Sequence, residues 1–301
     1  MRVNTDFIKG IIVPIVTVVD ETELIDEGRM RRQVDFVIGG GVHGILAFGS
    51  NGEFYMVEDG EMERGLEIMI RQAGGRVPVY FGMGSIRTRK CMELARMARE
   101  RGADGISVLQ PMFLKPTEDE LYEHFRAIAL SVPGMPVLLY NNPGRVGYSM
   151  TVSLVKRLAE DVENIVGMKD SSGDMTLTSE FIRVTRGRDF KVFGGKDTLI
   201  YGALVHGAHG AVATTANMFP GLVTSIYEKF LAGDLKGALE AQFILNPVRL
   251  SMDRASFPVA TKDMARLMGL DVGKPFRPTV SSSGDVLENM RKRMQEAGLL
   301  Q

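Results

Sequence analysis

The chain has 301 residues, more than an ordinary domain but within the span of a single α/β barrel. Its 36 Lys+Arg against 37 Asp+Glu leave a net charge of -1, so no basic excess exists to hold a nucleic-acid backbone. With 45% hydrophobic residues the chain can bury a large core, and its apolar runs, such as Ile11 to Val19, are far too short to span a membrane.

The segment from Met1 to Gly10 carries Arg2, Asp6 and Lys9, which predicts that no secretory signal is present and that the protein is cytoplasmic. The single cysteine, Cys91, excludes an internal disulfide and a cysteine-based metal cluster.

Short β-branched runs alternate with longer stretches of helical spacing. Strands are predicted at Ile11–Val18, Gly44–Phe48, Val77–Gly82, Gly105–Val108, Pro136–Tyr140, Ile165–Lys169, Phe190–Phe193 and Gly210–Ala213. Helices are predicted between them at about Asp26–Gly39, Asp59–Gln72, Thr88–Arg101, Glu118–Leu130, Thr151–Leu158, Met175–Thr185 and Asp197–Val205, with another at Pro220–Leu231. The strands are nearly continuous apolar runs, as parallel strands covered on both faces require.

Eight strand–helix repeats predict a closed (β/α)8 TIM barrel of the α/β class over residues 1–232. The rival, an open doubly wound sheet, carries a glycine fingerprint after its first strand, and Asp20-Glu21-Thr22-Glu23 occupies that place here. Gly39-Gly40-Gly41-Val42-His43-Gly44 fits the spacing of that fingerprint but leads into a strand, so it reads as a helix cap and turn. Helical patterns at Asp234–Met252, Val259–Met268 and Val286–Ala297 make residues 233–301 a C-terminal extension packed on the barrel.

Reactive groups of such a barrel sit where strands end. The sixth strand closes on Lys169, followed by Asp170. Desolvation there favours a neutral amine, the nucleophile that forms a Schiff base with a carbonyl; a snorkelling lysine or a pair with Asp170 is the plain alternative. Tyr140 ends the fifth strand, either as a proton carrier beside Lys169 or as a core aromatic. Arg145, in the following Pro-Gly turn, is either surface charge or a clamp for a substrate carboxylate. Gly49-Ser50-Asn51-Gly52 ends the second strand, either as an anion-binding nest or as a helix-capping turn.

Taken together, Gly49-Ser50-Asn51-Gly52-Glu53, Tyr140-Asn141-x-Pro143 and Gly167-Met168-Lys169-Asp170 resemble the three signatures of the dihydrodipicolinate synthase/N-acetylneuraminate lyase family. Pro14-Ile15-Val16-Thr17, Gly194-Gly195-Lys196-Asp197 and the stretch from Gly210 to Asn217 also agree in order, and the resemblance covers nearly the whole chain. It implies a class I, metal-independent lyase without cofactor. Lys169 would form the Schiff base with pyruvate or another 2-oxo acid, Tyr140 would be the general acid/base, and Ser50 would relay protons. Ser50 and Asn51 would hold the 2-oxo acid carboxylate, with Gly194 and Val212 in the substrate site. A homotetramer, a dimer of dimers, is implied as well.

Three positions bear on the substrate. In the synthase branch a Pro-Tyr-Tyr sequence sends its second tyrosine into the partner's site; here the segment is Pro111-Met112-Phe113, and Phe113 can pack but cannot pass a proton. Arg145 matches the synthase arginine for the second substrate's carboxylate. Ser50-Asn51 in place of two threonines resembles the 4-hydroxy-2-oxoglutarate aldolases. The leading expectation is therefore a 2-oxo acid aldolase or dehydratase, of the 4-hydroxy-2-oxoglutarate or 2-keto-3-deoxy sugar acid type, with an aldehyde partner. A diverged synthase condensing pyruvate with aspartate semialdehyde, and a non-catalytic barrel that binds a 2-oxo acid, are the alternatives. His206 and His209 are spaced i, i+3 on the approach to the eighth strand, at the barrel bottom, where a metal site is not expected.

Overall fold

The computed structural model describes residues 3–300. Eight parallel strands close in sequence order into one barrel: β1 (Gly10–Pro14), β2 (Gly44–Ala47), β3 (Val79–Met83), β4 (Gly105–Leu109), β5 (Val137–Asn141), β6 (Ile165–Asp170), β7 (Lys191–Gly194) and β8 (Gly210–Val212). The architecture is the predicted TIM barrel. Between the strands run α1 (Glu27–Gly39), α2 (Asp59–Ala73), α3 (Thr88–Glu100), α4 (Glu118–Leu130), α5 (Pro143–Val146), α6 (Val152–Asp161), α7 (Met175–Thr185) and α8 (Ile200–Val205). Polar residues set several of their starts: Asp26, Thr151 and Asp174 cap α1, α6 and α7, and Thr117 with Glu120 forms a reciprocal capping box on α4.

The seam between β8 and β1 depends on glycine. Gly10 pairs with Gly210, and a Cβ on Gly210 would lie 1.9 Å from the Gly10 carbonyl oxygen. Both residues have positive φ, so the last strand closes on the first only without side chains there.

Side chains alternate between the barrel interior and the helical layer. Ile12, Leu46, Tyr80, Leu138, Val166, Phe193 and Val212 form the interior cluster, with Val3, Ile8 and Phe7 packed against it. A larger cluster fills the space between strands and helices. Cys91 lies in this second layer, where burial pushes its thiol up to about 11.

The first predicted strand is longer than the observed one. The ladder ends at Pro14, and Ile15 to Val18 continue as a buried loop: Ile15 N–H donates to Leu46 O and Val16 N–H to Asn217 Oδ1. An apolar run reports burial, and here irregular chain is buried as fully as a strand. The segment predicted as a helix from Asp197 begins as a single 3-10 turn, Asp197–Leu199, before α8.

After the barrel come α9 (Pro220–Leu231), α10 (Leu235–Ser251), α11 (Val259–Leu267) and α12 (Asp285–Glu296). They reach back to the strand ends through side chains. Gln242 Nε2 on α10 donates to Asp197 O at 2.9 Å, and Thr261 Oγ1 on α11 donates to Asn51 Oδ1 at 3.0 Å.

Candidate active site

The C-terminal ends of β5 and β6 place two reactive side chains next to each other. Tyr140 and Lys169 are register partners, so they stand side by side in the barrel mouth. Each is only 6% exposed, and Lys169 Nζ lies 4.3 Å from the centroid of the Tyr140 ring. A cation over an aromatic face is an attractive contact, and it holds the amine against the phenol.

Lys169 does not pair with its sequence neighbour. Asp170 points to the other side of β6, where it accepts from Asn141 Nδ2 at 2.8 Å, Ser172 Oγ at 2.8 Å and Thr178 Oγ1 at 2.6 Å. Among the described residues, Lys169 has no ion pair. The plain reading, in which Asp170 neutralises it, is excluded by the alternation of strand side chains.

Tyr140 is more acidic than an ordinary tyrosine. Burial pushes its proton affinity up, but the Lys169 charge, aided by the Ser50 and Ser171 hydroxyls, outweighs burial and brings the net value down. Ser50 Oγ stands close enough to favour the phenolate but completes no hydrogen bond of its own. Asn142 Nδ2 does complete one, donating to Tyr140 Oη at 2.8 Å.

The loop after β2 makes the opposite wall. Ser50–Gly52 forms one 3-10 turn, closed by Gly52 N–H donating to Gly49 O at 2.9 Å and Glu53 N–H to Ser50 O at 3.3 Å. The N–H groups of Ser50 and Asn51 open the turn and have no partner within it. Asn51 is fixed from both sides, its Nδ2 donating to Thr214 Oγ1 at 2.7 Å and its Oδ1 accepting from Thr261. Glu53 then turns left-handed (φ 54) and is buried completely.

Glycine makes room for the lysine from the β7 side. A Cβ on Gly195 would meet Ser171 Oγ at 2.1 Å and Lys169 Cε at 3.0 Å. Gly194, the residue singled out from the sequence, ends β7 and instead approaches Ala203. Val212 packs in the interior cluster with Ile12 and Phe193.

Arg145 sits on α5 at the rim. Its guanidinium carbon lies 4.0 Å from the centre of the Phe257 ring, and among the described residues it has no carboxylate partner. It lines a cavity of about 210 Å³ together with Thr214, Arg249, Phe257 and Thr261. Phe113 projects from the loop after β4, 98% exposed and with φ of 73, so within its own chain it packs against nothing.

His206 Nδ1 is bonded to Ser179 Oγ, and His209 Nδ1 accepts from Val192 N–H. Among the described residues, no group of three or more His, Cys, Asp or Glu is placed to hold a metal ion.

A sequence profile described as the Dihydrodipicolinate synthetase family matches residues 7–297. The chain belongs to that family. It is thus an enzyme of the lysine Schiff-base lyase class. The chain is 38% identical over 277 residues to the 4-hydroxy-tetrahydrodipicolinate synthase of Thermus thermophilus, 92% of each chain being covered. Against the enzyme of that name from Methanopyrus kandleri it is 33% identical over 294 residues, 97% of each. Among solved structures, it superposes with a TM-score of 0.93 and 29% identity on a prophage protein of the dihydrodipicolinic acid synthase family from E. coli K12 in complex with pyruvate, covering 97% of this chain and 99% of that one.

Sequence reasoning missed Asn142, Thr214, Thr261 and Gly195. Gly195 had a signal, since it adjoins Gly194 in the quoted motif. The other three act through partners that are not visible in a local pattern.

Proposed function

We propose that this chain is an aldolase or lyase that binds pyruvate or a related 2-oxo acid as a Schiff base and joins it to, or releases it from, an aldehyde. One observation carries the reading. Among the described residues, a buried strand-end amine with no acidic partner lies against a phenol and opposite a turn whose first two N–H groups have no partner within it.

In this reading the Ser50 and Asn51 N–H groups hold the 2-oxo acid carboxylate, beside Gly194 and Val212, and orient the ketone. The Lys169 amine, its extra proton passed to Tyr140, adds to the ketone carbon, and the carbinolamine loses water to give an iminium ion. The iminium draws electrons from the adjacent carbon, whose proton leaves to give an enamine; the enamine adds to the aldehyde carbon, its oxygen taking up a proton, and water hydrolyses the resulting iminium to release the product and free Lys169. Cleavage runs the same steps in reverse. Tyr140 carries the protons that enter and leave at each stage, with Ser50 as its route onward. Arg145 takes the carboxylate of the aldehyde substrate.

An aldehyde from a 4-hydroxy-2-oxo acid or a 2-keto-3-deoxy sugar acid is the first choice, because Phe113 brings no hydroxyl to a relay. The second reading is condensation of pyruvate with aspartate semialdehyde. It is favoured by the name of the curated relatives and by the uncommitted guanidinium of Arg145. A substrate panel decides between them: pyruvate with glyoxylate, glyceraldehyde, N-acetylmannosamine or aspartate semialdehyde, and dehydration of deoxy-keto sugar acids. A clear preference for aspartate semialdehyde removes the first choice.

We further read the chain as a cytoplasmic dimer of dimers, with a catalytic barrel over 1–232 and an extension over 233–301. Phe113 and its neighbour Leu114 support association, since together they present an apolar tip that a second copy would cover. Sedimentation of Phe113→Asp, expected to fall to a smaller species, tests this.

A further inference from the structure

Asn142 stands between two roles and takes the less usual one. It occupies the residue before α5, the position where an asparagine side chain ordinarily caps the helix, yet its side chain makes no cap. Instead Nδ2 donates to Tyr140 Oη at 2.8 Å. The backbone of Asn142 is fixed as well: its N–H donates at 3.0 Å to Oε1 of Gln110, which is completely buried just beyond β4. The other end of Gln110 is committed too, Nε2 donating to Tyr148 O at 3.1 Å. A buried amide thus pins the loop that presents Asn142 to the phenol.

Among the described residues, Ser50 Oγ stands near the phenol but completes no hydrogen bond, and Phe113 has no hydroxyl and is 98% exposed. The charged group facing Tyr140 from the neighbouring strand is Lys169. Ser50 and Ser171 approach it uncharged, and Arg145, on the same loop, is turned to Phe257.

We propose that Asn142 is the positioning residue of Tyr140: its amide N–H holds the phenol oxygen in place and stabilises the phenolate, in a site whose neighbouring loop supplies no tyrosine hydroxyl. The inference rests on the reading of Tyr140 as the acid/base. An amide donates but does not pass its proton on, so protons leave Tyr140 through Ser50 or water and not through Asn142. A neutral donor also favours the phenolate without adding a charge that would compete with Lys169.

The chain has seven tyrosines and no tryptophan, so tyrosinate absorbance can be followed against pH, and subtracting the Tyr140→Phe titration isolates Tyr140. In Asn142→Leu the Tyr140 midpoint should rise by about one to two pH units, the size of one hydrogen bond to an ionised group. At neutral pH kcat should fall on the order of tenfold while KM for pyruvate stays within about twofold. Asn142→Ala, which removes the amide without adding a charge, should move the midpoint the same way and serves if the leucine variant fails to fold. A midpoint that stays put or falls overturns the proposal, and a fall would mean that the carbonyl end of the amide faces the phenol. Undiminished turnover in Tyr140→Phe would instead overturn the acid/base reading beneath it.

Discussion

Lys262 on α11 and Glu53 in the loop after β2 form an ion pair that water does not reach. Nζ lies 2.6 Å from Oε2, and both side chains are at most 1% exposed. Lys262 also donates to Lys274 O at 2.9 Å, and Glu53 Oε1 accepts from Phe276 N–H at 3.2 Å. Burial draws Lys262 below the ordinary lysine range, against the pull of Glu53. The pair fastens the 3-10 turn of Ser50 and Asn51 to the C-terminal helices.

Lys262→Met removes one partner and leaves Glu53 charged in the core, which should cost on the order of 3–5 kcal/mol. The double variant Glu53→Gln/Lys262→Met should lose less than the sum of the two single variants, because no orphan charge remains. Chemical denaturation measures both. A single-variant loss under about 1 kcal/mol would mean that the pair carries no structural weight.

Stability should fall in acid through His124. Burial lowers its pKa to about 4, so the folded chain keeps the ring neutral while the unfolded chain protonates near 6.5. The unfolded state therefore binds the extra proton between these values. Stability is complete above about 6.5 and is lost as pH falls to about 4, by roughly 3 kcal/mol at most. Denaturation midpoints of the native chain and His124→Gln at both ends of this window test it. Equal acid losses in the two proteins would clear His124 of the effect.

Arg145→Ala should raise KM for an aldehyde bearing a carboxylate, by about 1.5–3 kcal/mol of lost charge-assisted bonding. Imine formation with pyruvate should remain, since the turn after β2 is assigned to the pyruvate carboxylate. Equal damage to pyruvate binding would contradict that division of labour.

Phe113→Tyr should raise condensation with aspartate semialdehyde, because it returns a hydroxyl to the position from which a partner would offer it. Steady-state rates with that aldehyde provide the check. An unchanged rate would count against the synthase reading.

The barrel was legible because each strand is a short apolar run followed by a helical pattern, and a repeat of eight has few ways to close. Ile15 to Val18 misled for a physical reason: an irregular loop is buried here as thoroughly as a strand. Lys169 and Tyr140 were legible because each ends such a run. Their surroundings were not. The backbone of Asn142, which faces Tyr140, is held by Gln110, 32 residues away, and Lys262 meets Glu53 across more than two hundred residues. Phe113 could pack by its chemistry, yet in its own chain it lies open.

The central claim is that Lys169 is the amine that carries the 2-oxo acid. Incubation with pyruvate and borohydride, followed by peptide mass analysis, tests it most directly. Reduction of the imine should add one stable mass to the peptide containing Lys169. Lys169→Ala should abolish both the adduct and turnover while its unfolding transition stays close to that of the native chain. An adduct on Lys196 or Lys262, or no adduct with pyruvate, would contradict the account.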